Sequence, residues 1–422
     1  MRNLRAVLYV AVMNDVTARI VIVGAGHAGG SAGALLRQYG WKGPITLIGA
    51  EPVAPYQRPP LSKAWLTGDG DLSSLLLRPS PFYAANGIAL RASSQATGID
   101  RASQTVKLGT NERVPYDHLI LALGARPRNL AVPGRDLNGV LELRTLADAD
   151  RLKAALRPGT RLAVIGGGYI GLEIAASARS LGADVVVIER EARLLARVAS
   201  PPLSEFFHRR HEAGGVRIVL SGAVETIEGT AGRVTGVCLS DGSTVPCDVA
   251  LIGIGAVPND ELAHAAGLEC ADGIIVDITA HTSDPTIHAI GDCTRRPLPQ
   301  YHRTARLESV PNALEQAKQA VADLCGRPPP TPEVPWFWSD QYEVRLQIAG
   351  IAFDAGEIAV RGEPASGSFA IFHLTADGTV QAVEAVNAPA EFMAGKMMIA
   401  RRKQAVASML RDVSCSMRDL AA

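Results

Sequence analysis

Arg161 to Glu189 reads RLAVIGGGYIGLEIAASARSLGADVVVIE. Leu162 to Ile165 is a short apolar run of strand type, and Gly166, Gly168 and Gly171 follow it in G-x-G-x-x-G spacing. The pattern predicts a helix from Tyr169 to about Leu181, stopped by Gly182, and a second strand at Val185 to Ile188, closed by Glu189. This is a whole βαβ unit with an acid about 20 residues past the glycines. Gly166 permits the tight turn off the strand, Gly168 lets a pyrophosphate approach the backbone, and Gly171 lets helix and strand pack closely. The helix N-terminus offers free N–H groups and the positive end of its dipole to phosphate. Glu189 accepts from an adenosine ribose and repels a 2′-phosphate, so the stretch reads as a site for NADH rather than NADPH. Arg190 and Arg193 stand close enough in sequence to weaken that preference. A lone glycine pattern fits an ordinary turn; the flanking strands, helix and acid favour a dinucleotide.

The chain has 422 residues, too many for one ordinary core, so two or three domains are expected. Apolar residues make up 47% and charged residues 20%, with zero formal net charge. Nothing global attracts nucleic acid or an acidic membrane, and any basic docking face must be local. No apolar run approaches the ~18 residues of a membrane span. Met1 to Asn14, MRNLRAVLYVAVMN, faintly resembles a signal peptide through its apolar run Ala6 to Val12, but no cleavage site is evident. The preferred reading is an upstream extension with the natural start at Met13, on a cytoplasmic protein. Cys238, Cys247, Cys270, Cys293, Cys325 and Cys415 form no C-x-x-C or metal-ligand spacing, so scattered reduced thiols and no metal site are expected.

A second glycine fingerprint comes first in the chain. Strand Arg19 to Val23 leads to Gly24, Gly26 and Gly29, then to a helix from His27 to about Tyr39 and a strand at Ile45 to Ile48. The acid is displaced, since the strand runs on into Gly49-Ala50-Glu51, so either Glu51 from the loop or a backbone N–H must serve the ribose. Two fingerprints imply two bound dinucleotides or a duplicated fold that lost one; both look intact, which favours two. In PYQRPPLSKAWL, Pro55 to Leu66, Pro59 and Pro60 stiffen a loop that fixes Arg58 and Lys63. A fixed cation beside a flavin stabilises the reduced ring. A surface loop with solvated cations explains that stretch equally well.

Beyond it, Leu119 to Ala125 reads as a buried strand that carries Ala122 and ends at Gly124, and Val249 to Ile254 as another that ends at Gly255. Ile287 to Ile290 delivers Gly291-Asp292 at a carboxyl end, where ligands bind in open α/β sheets. A turn aspartate capping the next segment is the alternative. A helix follows from about Pro311 to Leu324, its N-terminus near Val310. Arg327 to Pro332 is a linker to an aromatic-rich α+β segment, in which one of Trp336 and Trp338 fills a core and the other can lie on a flat cofactor. Arg295, Arg296, Arg303, Arg306 and Lys318 gather in sequence as a docking face for an acidic protein, or as plain solvated charge.

PYQRPPLSK, GGGYIGLE, HAIGD, ESVPNALEQA and WFWSDQY together resemble the FAD-dependent, NADH-using ferredoxin reductases that feed bacterial cytochrome P450 and ring-hydroxylating oxygenase systems. The resemblance spans about Arg19 to Arg402. It implies an α/β protein with two Rossmann-like dinucleotide-binding domains, glutathione-reductase-like, plus a C-terminal α+β domain. The expected division is FAD domain 14–125 with 258–331, NADH domain 126–257, and a flavin-covering domain 332–422. By motif position, FAD contacts fall on Gly24, Gly26, Ala28, Ala50, Lys63, Ala96, Arg144, Asp292 and Val310, with Trp338 near the flavin. Ala50 departs from the family pattern, where an acid is common. NADH lies over Gly166, Gly168, Ile170 and Glu173, next to Tyr169, with Glu189 on the ribose. Lys63 and Glu173 form an ion pair where the hydride arrives, and electrons leave singly to a [2Fe–2S] ferredoxin. A monomer is the expected state.

The related disulfide reductases, peroxidases and oxidases need cysteine near the first fingerprint, and none precedes Cys238. A reading from another class is an NADH-sensing flavoprotein of the apoptosis-inducing-factor type, in which redox state controls partner binding.

Overall fold

The computed structural model describes residues 15–422, so the readings placed on Met1 to Asn14 lie outside the described residues. The chain divides into two compact units. One comprises the residues up to Tyr56, Leu76–Gly124 and Pro258–Pro332; the other comprises Gln57–Leu75, Ala125–Val257 and Glu333–Ala422.

The first unit is built on a five-stranded parallel sheet in the order Ile287–Ala289, His118–Leu121, Ile20–Val23, Ile45–Ile48, Ile88–Arg91. The first strand in the chain sits in the middle, and the connections run outward from it in both directions. That reversal is the topological switch point of a doubly wound fold, where ligands bind beyond the carboxyl ends of the strands. IVIV at Ile20–Val23 is buried throughout because both faces are covered. Ile20 and Ile22 pack with Leu36 of helix His27–Gln38 and with Ala317 and Val321 of helix Val310–Leu324. Val21 and Val23 face the other way, onto Val106, Leu108 and Val114 of a small antiparallel sheet. The run expected to be one strand from Leu119 to Ala125 is interrupted: His118–Leu121 ends, Gly124 turns at φ +67, and Ala125–Pro127 is a separate strand.

The second unit repeats the plan, with parallel strands in the order Arg217–Val219, Asp184–Ile188, Arg161–Ile165, Val249–Ile252, Val140–Leu141. Val249–Ile252 stops two residues short of the expected Ile254, and the chain turns at Gly255 with φ +106. A three-stranded antiparallel sheet covers one face, where Ile165, Val237 and Val245 pack together. On the other face Leu172 and Ile174 of helix Tyr169–Ser180 share a core with Leu346, Ile348 and Phe369. Those last residues belong to a five-stranded antiparallel sheet ordered Trp336–Gln341, Val344–Gly350, Val380–Val386, Ser368–Leu374, Glu357–Glu363. Helix Pro389–Ala400 backs that sheet at close range, since a Cβ on Gly395 would stand 2.6 Å from Val383 Cγ1. Among the described residues, no helix is long and apolar enough to cross a membrane.

Candidate active site

In the first unit, strand Ile20–Val23 delivers Gly24 with φ +109, and a Cβ there would lie 2.1 Å from Ala122 O. A Cβ on Gly29 would lie 1.9 Å from Gly24 O, so this turn closes only with glycine at both places. Gly26 differs: its Cβ would meet nothing within 4 Å. It is the N-cap of helix His27–Gln38 and offers no side-chain cap, leaving the first N–H groups available to an anion. Gly291 sits beside this turn, as a Cβ on it would stand 3.1 Å from Ala28 Cβ. Buried Gln316 fixes the Gly291 turn by accepting from Gly291 N at 2.8 Å and from Thr294 Oγ1 at 2.9 Å. Asp292 is thus presented at the switch point, and its charge opposes the burial that lowers the pKa of His27. His27 Nδ1 is buried without a hydrogen-bond partner. An open glycine cap, an uncapped helix start and a carboxylate beside them fit the diphosphate and ribityl chain of FAD. Ala50 is exposed, whereas Glu51 is half-buried and its Oε2 accepts from Tyr56 OH at 2.6 Å. Ala96 opens the strand Ala96–Asp100, and Val310 is the first residue of its helix, capped by Ser309.

The second unit carries the matching turn. Gly166 has φ +110 and would place a Cβ 2.4 Å from Gly253 O; a Cβ on Gly171 would lie 2.3 Å from Gly166 O. Gly168 again faces open space and caps helix Tyr169–Ser180 without a side-chain bond. Ile170, next on that helix, is 51% exposed, an apolar platform at the mouth of the turn. Glu189 is held at the strand end: its Oε2 accepts from Gly167 N at 2.7 Å and its Oε1 from Glu191 N at 2.9 Å. Arg193 is engaged within its own loop and the helix that follows. Its guanidinium donates to Ala196 O, Ala199 O and Ser204 Oγ. Tyr169 packs against Phe337 at 5.0 Å and donates to Val198 O at 3.2 Å.

Glu173, one turn into the same helix, is buried, and its Oε2 lies 2.7 Å from Lys63 Nζ. Lys63 follows the 3-10 turn Pro59–Ser62, whose prolines fix φ and leave no N–H to satisfy. Ser62 Oγ donates to Glu173 Oε2 at 2.6 Å, and Ser339 Oγ donates to Oε1 at 2.6 Å. Ser177 Oγ ties the turn to the helix by donating to Ser62 O at 2.7 Å. A buried ion pair persists only when such further donors satisfy it. Ser62 and Ser339 lie inside PPLSK and WFWSDQY, so those motifs held a signal that motif reading left unassigned. Arg58 Nη1 donates to Arg144 O, and Thr145 with Asp148 forms a capping box for helix Leu146–Ala155. Trp336 and Trp338 share one face of their strand, half-buried with centroids 5.8 Å apart, and Trp336 also meets Phe392 at 5.7 Å.

The expected basic face needs correction. Arg296 is 3% exposed and bonded to Glu315 at 2.9 Å and Asn312 at 3.0 Å, so it is a core residue and not a docking residue. Alternation along strand Thr294–Leu298 turns it inward while Arg295 stays partly exposed. Arg306 is largely covered and paired with Glu308, whereas Arg303 is exposed. One unexpected polar group lies elsewhere in the first unit: His281 Nε2 and His288 Nε2 approach Asp323 Oδ2 at 3.3 and 3.2 Å. His288 shares a hydrogen bond with Asp323, while His281 Nδ1 shares one with Thr279 Oγ1 at 3.0 Å. The cysteines are all free, and burial pushes the Cys293 thiol up to about 12.

Two Rossmann-type turns and a paired lysine and glutamate, with no redox cysteine pair, define a two-dinucleotide oxidoreductase. Residues 18–317 match the family described as pyridine nucleotide-disulphide oxidoreductase, and residues 336–421 match that described as reductase C-terminal. The chain belongs to that oxidoreductase family, in the branch with a reductase C-terminal domain. It is 54% identical to the probable ferredoxin reductase CtmF of Castellaniella defragrans, over 91% of this chain and 94% of that protein. It is 46% identical to rhodocoxin reductase of Rhodococcus erythropolis, over 90% and 89% respectively. In structure it matches putidaredoxin reductase, taken from its covalent complex with putidaredoxin. The TM-score is 0.93 at 43% identity, over 96% of this chain and 98% of that one.

Proposed function

We propose that the chain is an FAD-dependent ferredoxin reductase that takes hydride from NADH and passes single electrons to a [2Fe–2S] ferredoxin serving a P450 or ring-hydroxylating oxygenase. The observation that carries this reading is the Lys63–Glu173 pair, its carboxylate buried one helical turn from the open Gly168 cap. Names and complexes of the relatives support the same assignment. Bound FAD supplies the conversion from two-electron hydride chemistry to one-electron release. The chain's own residues bind and orient. Gly26 and Gly168 receive the two diphosphates on uncapped helix starts, and Glu189 accepts from the NADH ribose and disfavours a 2′-phosphate. Lys63, held by Glu173, carries the positive charge that the hydride acceptor requires. No residue acts as a nucleophile, in keeping with cysteine thiols that are buried or scattered. Each turnover converts NADH and two oxidised ferredoxins into NAD+, two reduced ferredoxins and one proton.

Finer parts of this reading follow from the same residues. The three-domain division with boundaries near 125, 257 and 331 assigns FAD to the first turn and NADH to the second. Arg295, Arg303 and Lys318 form the docking face for an acidic ferredoxin, with Arg306 alongside. The protein is a cytoplasmic monomer, as free thiols suit a reducing compartment. The test is anaerobic mixing of FAD-loaded protein with NADH and, separately, with NADPH. Fast bleaching of the flavin by NADH, much slower with NADPH, is expected; a flavin that stays oxidised under NADH overturns the reading.

A further inference from the structure

Glu173 is the terminus of a hydrogen-bond chain that crosses the second unit. Ser339 Oγ donates to Glu173 Oε1 at 2.6 Å, Gln341 Nε2 donates to Ser339 Oγ at 3.1 Å, and Gln341 Oε1 meets His211 Nε2 at 2.8 Å. Ser339, Gln341 and His211 are each 1% exposed or less. Alternation along strand Trp336–Gln341 puts Ser339 and Gln341 on one face, and helix Pro201–Ala213 brings His211 to its end. Beyond His211, Tyr342 OH lies 3.5 Å from Nδ1. Tyr342 is pinned in a hairpin turn at φ +54, uncommon for a residue with a side chain, with the Arg210 guanidinium 3.9 Å over its ring. Gly214 makes room for it, since a Cβ there would stand 2.5 Å from Tyr342 OH.

The chain has one consistent direction. Glu173 Oε2 already accepts from Lys63 and Ser62, and Oε1 takes the single proton of Ser339. Ser339 Oγ must then accept from the Gln341 amide, which turns the Gln341 oxygen to His211. His211 must in turn present its proton on Nε2. Burial pushes the His211 pKa down to about 4, so the ring carries one proton at neutral pH. We propose that Ser339, Gln341 and His211 are positioning residues for the hydride-transfer pair, their polarised chain fixing Glu173 as an acceptor at both oxygens and so holding Lys63 in place. The proposal rests on the role given above to Lys63 and Glu173. Donors from both serines spread the carboxylate charge, which leaves Lys63 a net cation toward its open side.

The direct test is the tautomer of His211 in FAD-loaded, 15N-histidine-labelled protein, read from two-bond 1H–15N correlations and assigned by its loss in His211→Gln. The neutral Nε2–H form is expected. The Nδ1–H form overturns the proposal, because a reversed Gln341 would take the Ser339 proton and leave none for Glu173. Ser339→Ala is expected to slow flavin reduction by NADH about tenfold while the NADH Kd stays within about twofold. Ser339→Thr, which keeps the hydroxyl, restores the rate. An unchanged reduction rate in Ser339→Ala, or no rescue by threonine, also overturns the positioning role. Unaltered protein whose flavin NADH fails to reduce refutes the functional reading instead, and the tautomer still decides the chain.

Discussion

Gly24 and Gly26 stand two residues apart in one motif and do different work. Gly24→Ala would drive a Cβ to 2.1 Å from Ala122 O at φ +109, so it is expected to destabilise the protein by more than the ~1–3 kcal/mol of ordinary backbone strain. Gly26→Ala meets nothing within 4 Å, so the FAD-free protein should unfold within about 1 kcal/mol of the parent and yet lose FAD on titration. Full FAD affinity in Gly26→Ala would place the diphosphate elsewhere. Glu189→Ala should narrow the ratio of NADH to NADPH turnover, measured as kcat/KM; an unchanged ratio counts against its ribose role. Both fingerprints were legible in the sequence because glycine spacing reports backbone geometry directly. His211 was not, because HRRHEA carries no pattern that distinguishes a buried imidazole from a surface one.

At the scale of elements, the two histidine- and arginine-bearing segments make opposite demands on pH and packing. Burial of His211 in helix Pro201–Ala213 lowers its pKa to about 4, while an unfolded chain titrates it near 6.5. Between those values the unfolded state binds the extra proton, so stability is full above pH ~6.5 and falls by up to about 3 kcal/mol as pH drops to ~4. Burial shifts His288 in the same direction and adds to the loss. Urea unfolding of His211→Gln should vary less across that window than the parent; an equal slope would mean that His211 is not the group responsible. On helix Val310–Leu324, Glu315 depends on Arg296, and Arg296→Ala leaves its carboxylate with Gln319 as the remaining side-chain donor among these bonds. A cost of about 3–5 kcal/mol is expected by chemical denaturation. A cost below about 1 kcal/mol would instead mark an exposed pair and return Arg296 to the surface. Strand and helix positions were readable to within a residue or two from hydrophobic period and glycine stops, except where the apolar run Leu119 to Ala125 breaks after Leu121. Which arginine on the strand Thr294–Leu298 points inward was not, because a polar run such as TRRPL gives alternation no sign.

For the whole molecule, net charge is zero, so the proposed docking of an acidic ferredoxin would rest on a local cluster and should weaken with salt. Charge reversal at Arg295 and Arg303 should raise the KM for ferredoxin several-fold and leave flavin reduction by NADH unchanged. Ferredoxin kinetics that do not move would shift docking to another face. The motif set identified the branch of the family because PPLSK, GGGYIGLE and WFWSDQY come from three distant parts of the chain. The grouping of Gln57–Leu75 with the second unit was not readable, since no local pattern tells which core a short proline-rich segment will join. Electron transfer from NADH to a ferredoxin is the reaction at the heart of the proposed function. NADH-driven cytochrome c reduction, with and without an added [2Fe–2S] ferredoxin, measures it most directly. Strong stimulation by ferredoxin is the predicted result; a flavin that NADH reduces but that passes no electrons to any of several such ferredoxins would contradict it.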